Sequence, residues 1–460
     1  MIGHLMRPEL EELIREKQWD VLREALSHFH PSDIAEILVD IPDEDDAPIF
    51  RILPRELAGR VFSYLPHQQQ EALIRTVSND QMRQLLQDMT PDDQTRLLEE
   101  LPPEVTKRVL ESLSPEELKS ARDLLGYPLH TAGRFMTPDY VAIRADMTAA
   151  EAIEHVRKTG RGKETVAVLY VLDSTGKFLE DIRLGSLVMA DPGQKVSEIG
   201  EGSTVSLTAT TDREEVLKTF QKYDRIALPV TDTQGHMLGI ITIDDVLDVA
   251  SQEATEDIQK IGGSEALDAP YLDVTFYEMI RKRGVWLSVL FLGEMLTATA
   301  MGFFEKEIER AVVLALFVPL IISSGGNSGS QAATLIVRSL ALSELRLTDW
   351  LRVLMRELRT SLTLGMWLGF IGFVRIVFWQ WLHWVDYGEH YMLVGFTVWL
   401  TLVGVVCFGS VTGSMLPFLL RRAGLDPATS SAPFVATLVD VTGLVIYFTV
   451  ALLVLRGTLL

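Results

Sequence analysis

Three stretches of the chain carry residue types that could do chemistry. The first is Ala432–Leu455, 24 residues apolar enough to cross a bilayer, with one ionisable residue, Asp440, in its N-terminal half. A carboxylate in the hydrocarbon layer costs about 2.5–3.5 kcal/mol on insertion scales, so it normally faces a bundle interior or a wet pathway. Its neighbours Ala436, Thr437, Thr442 and Gly443 are small or hydroxylated and would let another backbone come close. A cation site on a pore axis fits these residues; a hydrogen-bonded structural Asp between helices is the plainer alternative. The second stretch packs Asp244, Asp245, Asp248, Glu253, Glu256 and Asp257 into 14 positions. On a helix, Asp245, Asp248 and Glu256 would lie near one face, with Asp244 at its edge. Carboxylates so placed repel one another unless a cation bridges them. Oxygen-only ligands suit Mg²⁺ or Ca²⁺ rather than Zn²⁺. A solvated acidic helix is the alternative. The third stretch, Pro319–Gln331, puts three glycines, four serines, Asn327 and Gln331 into an otherwise apolar run. Small-residue packing explains the glycines and serines. Asn327 and Gln331 add polar groups that packing does not need, which favours a pore lining.

These residues need a membrane domain to hold them. Five apolar runs, Val285–Phe304, Ala311–Leu340, Ser361–Trp384, Tyr391–Leu420 and Ala432–Leu455, each meet the length a spanning helix requires. Arg281, Lys282 and Arg283, then Arg338, Arg346, Arg352, Arg356 and Arg359, then Arg421 and Arg422 mark alternate joins as cytoplasmic. That places the N-terminus inside and the C-terminus outside. Trp379, Trp381, Trp384, Tyr387 and Tyr391 would sit at the outer interface. Glu294 and Arg375 are further charges within spans. They could pair with each other or reach an interface.

Ahead of the spans, the character of the chain changes. Residues 284–460 hold 11 acidic and 11 basic residues, so residues 1–283 carry the whole net charge of −21. This excess of acid argues against nucleic-acid binding, which needs basic patches. The single cysteine, Cys407, excludes an intrachain disulfide. No nucleophile–base constellation or phosphate loop points to an enzyme. The first twenty residues lack the apolar core of a signal peptide, so none is expected. Residues 1–131 read as short amphipathic helices with Pro, Asp or Ser punctuation, such as 31–42, 54–66, 79–89, 91–102 and 103–113, which stack as a superhelix. Asp92 and Asp93 fall in a first helical turn, where they complement the helix dipole.

Residues 132–260 repeat one pattern twice, strand–helix–strand–turn–strand–helix, with matched turns Asp173–Gly176 and Asp232–Gly235. The repeat, and above all Leu228–Asp245, resembles a pair of cystathionine-β-synthase-type (CBS) domains. Such pairs commonly sense adenine nucleotides or metals, and they dimerise. Thr242 and Asp245 keep the T-x-x-D pattern that often holds a nucleotide ribose. Arg183–Ser186 in the first module lacks that aspartate, and Arg225 stands where a stacking aromatic is often found.

The whole chain resembles the MgtE-type magnesium channels and transporters. The resemblance rests on four motifs in order: T-x-D-D-V-L-D-V…E-A-T-E-D-I (Thr242–Ile258), P-L-I-I-x-x-G-G-N-S-G-x-Q-x-A-T (Pro319–Thr334), M-L-P-F-L-L-R-R-x-G-x-D-P-A (Met415–Ala428) and P-x-V-A-T-L-x-D-V-T-G (Pro433–Gly443). It implies a multidomain membrane protein: an α-helical superhelix (1–131), a tandem α/β CBS pair (132–197 and 198–260), a connecting plug helix (261–284) and a five-helix transmembrane domain (285–460). It implies a homodimer in the cell inner membrane that takes up Mg²⁺ and is closed by cytosolic Mg²⁺. Asp440 resembles the carboxylate that holds hydrated Mg²⁺ in the pore, with Ala436 supplying a backbone carbonyl, Asn327 lining the path, and Thr437 and Gln331 beside them. Regulatory metal positions implied are Asp92, Glu214, Asp224, Asp244, Asp245, Asp248, Glu253, Glu256, Asp257 and Asp426. The chain departs from the pattern at Arg60 and Arg96, where acids are expected. A proton- or sodium-coupled transporter of divalent metals and a non-transporting membrane sensor are the competing classes.

Overall fold

The computed structural model describes residues 9–40 except 11, 49–267 except 201 and 203, then 269, 271, 272, 274–342 and 344–459. The chain forms two compact units, Met1–Ala250 and Ser251–Leu460. The first opens with helices α1 (Trp19–Leu26), α2 (Pro31–Asp40), α3 (Arg55–Tyr64), α4 (His67–Thr76), α5 (Asn79–Gln87), α6 (Pro91–Glu100), α7 (Pro103–Leu110) and α8 (Pro115–Leu125). Their starts follow the punctuation. Ser78 and Ser114 form capping boxes with Gln81 and Glu117, and Pro91, Pro103 and Pro115 occupy first turns where no donor is missed. One apolar face of each helix enters a shared core that includes Leu26, Ile34, Phe62, Ile74, Met82 and Val109. Arg108 ties the stack together by donating to the carbonyls of Ile74 (2.9 Å) and Val77 (2.6 Å), at the end of α4 where carbonyls lack helical partners.

The α/β half repeats as expected. The first module has β1 (Ala142–Arg144), α9 (Ala149–Thr159), β2 (Val168–Leu172), β3 (Phe178–Arg183), α10 (Leu184–Met189) and α11 (Val196–Ile199). The second has β4 (Leu207–Thr208), α12 (Arg213–Tyr223), β5 (Ala227–Thr231), β6 (Met237–Thr242) and α13 (Ile243–Ile261). In each, the middle strand runs parallel to the first and antiparallel to the third. The two turns match in detail. Asp173 accepts from the amides of Thr175 and Lys177, and Asp232 from those of Gln234 and His236. Gly176 and Gly235 both sit at φ +86°, which only glycine adopts without strain. The turns then pair with each other, through Phe178 N–H to Gly235 O (3.0 Å) and Met237 N–H to Gly176 O (3.1 Å).

The second unit continues α13 and contains α14 (Phe276–Phe303), α15 (Glu305–Arg310), α16 (Val318–Ala341), α17 (Trp350–Trp381), α18 (Tyr391–Arg422) and α19 (Ala432–Val454). Five stretches are long and apolar enough to cross a membrane: Phe276–Phe303, Val312–Ala341, Leu347–Trp381, Tyr391–Arg422 and Ala432–Val454. The polar segment expected to end at Gly284 and the span expected to start at Val285 are one helix. Helical hydrogen bonding does not stop at the edge of an apolar run, and a lone glycine costs only about 1 kcal/mol there.

α16 packs on both α18 and α19. Contact is backbone to backbone. A Cβ on Gly413 would collide with the Gly329 carbonyl oxygen, and one on Gly329 would lie 2.7 Å from Val435 Cγ1. Ser328 and Ser410 meet through their hydroxyls at 2.6 Å, and the Tyr447 hydroxyl donates to Leu314 O at 2.8 Å. Gly413→Val therefore overpacks a helix contact and is expected to cost about 2 kcal/mol. A lowered apparent Tm of the detergent-solubilised protein checks this; an unchanged Tm contradicts the close approach.

Candidate functional site

Ser431 caps α19 by accepting from Phe434 N–H at 3.3 Å, and Pro433 sits in the first turn. Asp440 follows about two turns later and is half-buried. Ala436 and Thr437 lie one turn earlier, also half-buried, with the Thr437 hydroxyl donating to Pro433 O at 3.0 Å. Gly326 of α16 approaches this turn: a Cβ there would lie 3.5 Å from Ala436 Cβ. Ser323, Asn327 and Gln331, four residues apart, form an exposed polar row on α16, and Asn327 Nδ2 donates to Ser323 Oγ at 3.5 Å. A polar row is costly against lipid, so this face is suited to water or to a second copy of the chain.

The two charges whose partners the sequence left open take different ones. Arg375 lies over the ring of Trp379, 4.0 Å from its centroid. Glu294 follows Gly293, which packs against Thr437 one turn before Asp440, and lies near enough to Asp440 for the two carboxyl groups to interact.

The first unit gathers a second set of carboxyl groups. Asp92 and Asp93 lie in the first turn of α6, and Asp244, Asp245 and Asp248 in the opening turns of α13. Burial pushes Asp245 up to about 8, with the charge of Asp92 adding to it, although the Thr242 hydroxyl donates to its Oδ2 at 2.8 Å. Burial, then the neighbouring charge of Asp93, pushes Asp92 up to about 6. Glu164, in the loop before β2, rises to about 7, again through burial first and then through Asp92, Asp244 and Asp93. Asp93 is raised by burial too, against the pull of Arg96. Asp92 is 9% exposed, and among the described residues its buried Oδ1 has no hydrogen-bond partner. A buried carboxylate oxygen without a donor is expensive, and a cation relieves both that and the mutual repulsion. These residues therefore fit a divalent cation with oxygen ligands. Among the described residues, no three His, Cys, Asp or Glu side chains are drawn tightly around one point.

Arg96 and Lys260 already supply positive charge beside other expected metal positions. Arg96 pairs with Asp93 at 2.7 Å and reaches Asp248 at 3.4 Å; Arg60 is exposed. In the second unit, Lys260 bridges Glu256 (2.5 Å) and Asp426 (2.7 Å). Burial disfavours its ammonium, but hydrogen bonds to Asp426 and Glu256 prevail and hold its pKa above the ordinary value. Asp426 also accepts from Ala428 N–H at 2.8 Å, capping the turn before α19. Glu253 and Asp257 are half-buried on α13. Glu214 is exposed and paired with Lys218 at 3.0 Å; Asp224 is exposed and ends α12 at φ +49°.

The nucleotide position fits an adenine ligand poorly. The Thr242 hydroxyl is committed to Asp245. Arg225 offers no aromatic face, and its guanidinium is held at 2.7 Å by Asp181, whose side chain is 4% exposed. A small, open cleft beside this pair is lined by Arg183, Ser186 and Gly200.

Sequence reasoning missed Glu164 and the role of Glu294. Glu164 lies in a loop, where no periodicity marks what it faces. Glu294 stood out as a charge in a span, but nothing in the sequence shows which helix it meets.

Residues 318–450 match the MgtE model, described as a divalent cation transporter; residues 29–130 match the MgtE intracellular N domain; residues 132–191 and 196–252 match the CBS domain. The chain is 42% identical over 334 residues to the magnesium transporter MgtE of Thermus thermophilus, covering 73% of this chain and 72% of that one. It is 32% identical to the magnesium transporter MgtE of Enterococcus faecalis over 336 residues, 73% of this chain and 71% of that one. Its fold is similar to a crystal structure of the cytosolic domain of the Mg²⁺ channel MgtE in complex with ATP (TM-score 0.50, 32% identity, 52% of this chain and 98% of that one). It is also similar to the soluble part of a magnesium transporter (TM-score 0.51, 26% identity, 55% and 99%). With a helical N-terminal array, a CBS pair and five candidate spans in this order, the chain is a membrane protein and belongs to the MgtE family.

Proposed function

We propose that the chain moves Mg²⁺ through the membrane along a path that passes Asp440, and that cytosolic Mg²⁺ closes the path. The observation that carries the transport reading is an intramembrane carboxylate on a helix whose preceding turn is approached by a glycine backbone. Mg²⁺ sheds water reluctantly, so a carboxylate with carbonyl oxygens nearby, such as that of Ala436, suits an ion that keeps its hydration shell. Two copies related by an axis at this face would present two such carboxylates and would cover the polar row of Asn327 and Gln331. Naming of the relatives as magnesium transporters supports the choice of ion.

The regulatory reading rests on the buried Oδ1 of Asp92, without a hydrogen-bond partner among the described residues, set among Asp93, Glu164, Asp244 and Asp245. Bound Mg²⁺ would lower the repulsion in this group and so favour whichever arrangement brings it together. α13 starts at that group and carries Glu253, Glu256 and Asp257 further along, ahead of the polar start of α14 that serves as the plug. Reading the positive-inside pattern, the N-terminal half is cytoplasmic and the C-terminus outside.

The test is Mg²⁺ entry into liposomes holding the purified full chain. Flux should follow the Mg²⁺ gradient and persist when a proton or sodium ionophore collapses the other gradients. Flux that stops with the ionophore would favour a coupled transporter, and no flux above protein-free liposomes would contradict transport altogether.

A further inference from the structure

Helices α14 and α19 run side by side through the apolar layer. Trp286 Nε1 donates to Ser431 Oγ at 3.3 Å, and its ring lies 6.1 Å from that of Phe434. Further along, a Cβ on Gly293 would stand 2.7 Å from Thr437 Cγ2. The next residue, Glu294, reaches Asp440. The register is parallel and continuous, so the glycine at 293 is what lets the helices close enough for the two carboxyl groups to meet. Glu294 is exposed in the single chain, on a helix face where an ionisable group cannot rest against hydrocarbon without large cost. It is therefore suited to the same wet path as Asp440. Arg375, a charge of opposite sign within a span, lies over the Trp379 ring.

We propose that Glu294 is a second carboxylate of the Asp440 ion site and sets which divalent cation that site prefers. This rests on the transport reading given above. One carboxylate attracts a hydrated dication at a distance. A second beside it strengthens the anionic field and competes with the water of the ion. Mg²⁺ gives up water least readily, whereas Mn²⁺ and Co²⁺ accept direct protein ligands more easily. The pair therefore raises the affinity for all three ions, and most for Mn²⁺ and Co²⁺.

The experiment compares wild type, Glu294→Gln, Glu294→Asp and Asp440→Asn as full chains in liposomes, measuring Mg²⁺, Mn²⁺ and Co²⁺ entry against concentration. Glu294→Gln removes about one charge's attraction from the site, and the apparent affinity for Mn²⁺ and Co²⁺ should fall roughly tenfold. Mg²⁺ should fall less, so the Mg²⁺ to Mn²⁺ preference should rise at least about threefold, and Glu294→Asp should keep most of the wild-type preference. A preference that is unchanged, or that moves toward Mn²⁺, overturns the proposal, whether total flux is normal or uniformly reduced. If Glu294→Gln does not fold, Glu294→Asp and Mn²⁺ binding to the wild type in competition with Mg²⁺ carry the same comparison. Asp440→Asn separates the two claims. If it still carries Mg²⁺, the transport reading itself fails; if it is inactive while Glu294→Gln matches wild type, only the role of Glu294 fails.

Discussion

Asp440→Asn should reduce Mg²⁺ flux at least about 100-fold in a protein that still folds and migrates as wild type. The magnitude follows from Coulomb's law. At an effective dielectric near 20, a carboxylate and a dication about 5 Å apart attract by roughly 6 kcal/mol, and each 1.4 kcal/mol is a factor of ten. Even if residual water and neighbouring dipoles recover half of that, about two decades remain. The substitution is close to isosteric and touches no backbone contact, so the α16–α18–α19 packing through Gly325, Gly329, Gly409 and Gly413 is preserved. Flux assays in liposomes beside a thermal scan in detergent check both halves. Wild-type flux in the variant would remove Asp440 from the path.

The second large effect belongs to the carboxyl group around Asp92. Asp92, Glu164 and Asp245 are raised in the folded protein to about 6, 7 and 8, each through burial first. A raised carboxyl pKa means the folded state binds more protons than the unfolded one between the ordinary value near 4 and the raised value. Their contribution to stability is fully present below about pH 4 and is lost as pH rises from there to the raised values, about 6 for Asp92, 7 for Glu164 and 8 for Asp245. In metal-free full-length protein, amide exchange at α6 and at the start of α13, corrected for its intrinsic pH dependence, should speed up roughly tenfold or more between about pH 5 and pH 8.5. Millimolar Mg²⁺ should restore protection at the alkaline end, where the carboxylates are ionised, and add little at the acid end. Asp245→Asn should flatten the profile. Protection that ignores pH, or Mg²⁺ that protects equally at both ends, would contradict a cation site there.

Much of this was legible before any coordinates. Pro, Asp and Ser punctuation located α2, α3 and α5 to α7, because capping is local chemistry. The paired Asp–Gly turns located both CBS hairpins for the same reason. Five apolar runs located five spans, since bilayer thickness sets their length. The ends were less legible. α14 begins at Phe276 rather than at the edge of the apolar run, and α17 at Trp350 rather than Ser361, because a helix continues wherever nothing stops it. The site divided along the same line. Asp440 and the acids of α13 stand out by type and spacing. Asp92 reads as an ordinary first-turn acid until α6 and α13 are brought together. Glu164 and Glu294 acquire meaning only from what they face, and Lys260 only from the acids it pairs with; Arg96 stands out as a departure from the family pattern, but its pairing with acids does not. Such contacts are tertiary, and no period in the sequence records them.

The most direct test of the account is Mg²⁺ flux through the wild-type chain in liposomes with Mg²⁺ clamped low or high on the cytoplasmic side. The account predicts flux at low cytoplasmic Mg²⁺ that falls steeply as Mg²⁺ there rises, with Asp440→Asn inactive at both. Flux indifferent to cytoplasmic Mg²⁺ would contradict the regulatory role of the Asp92 group, and no flux in the wild type under either condition would contradict the path through Asp440.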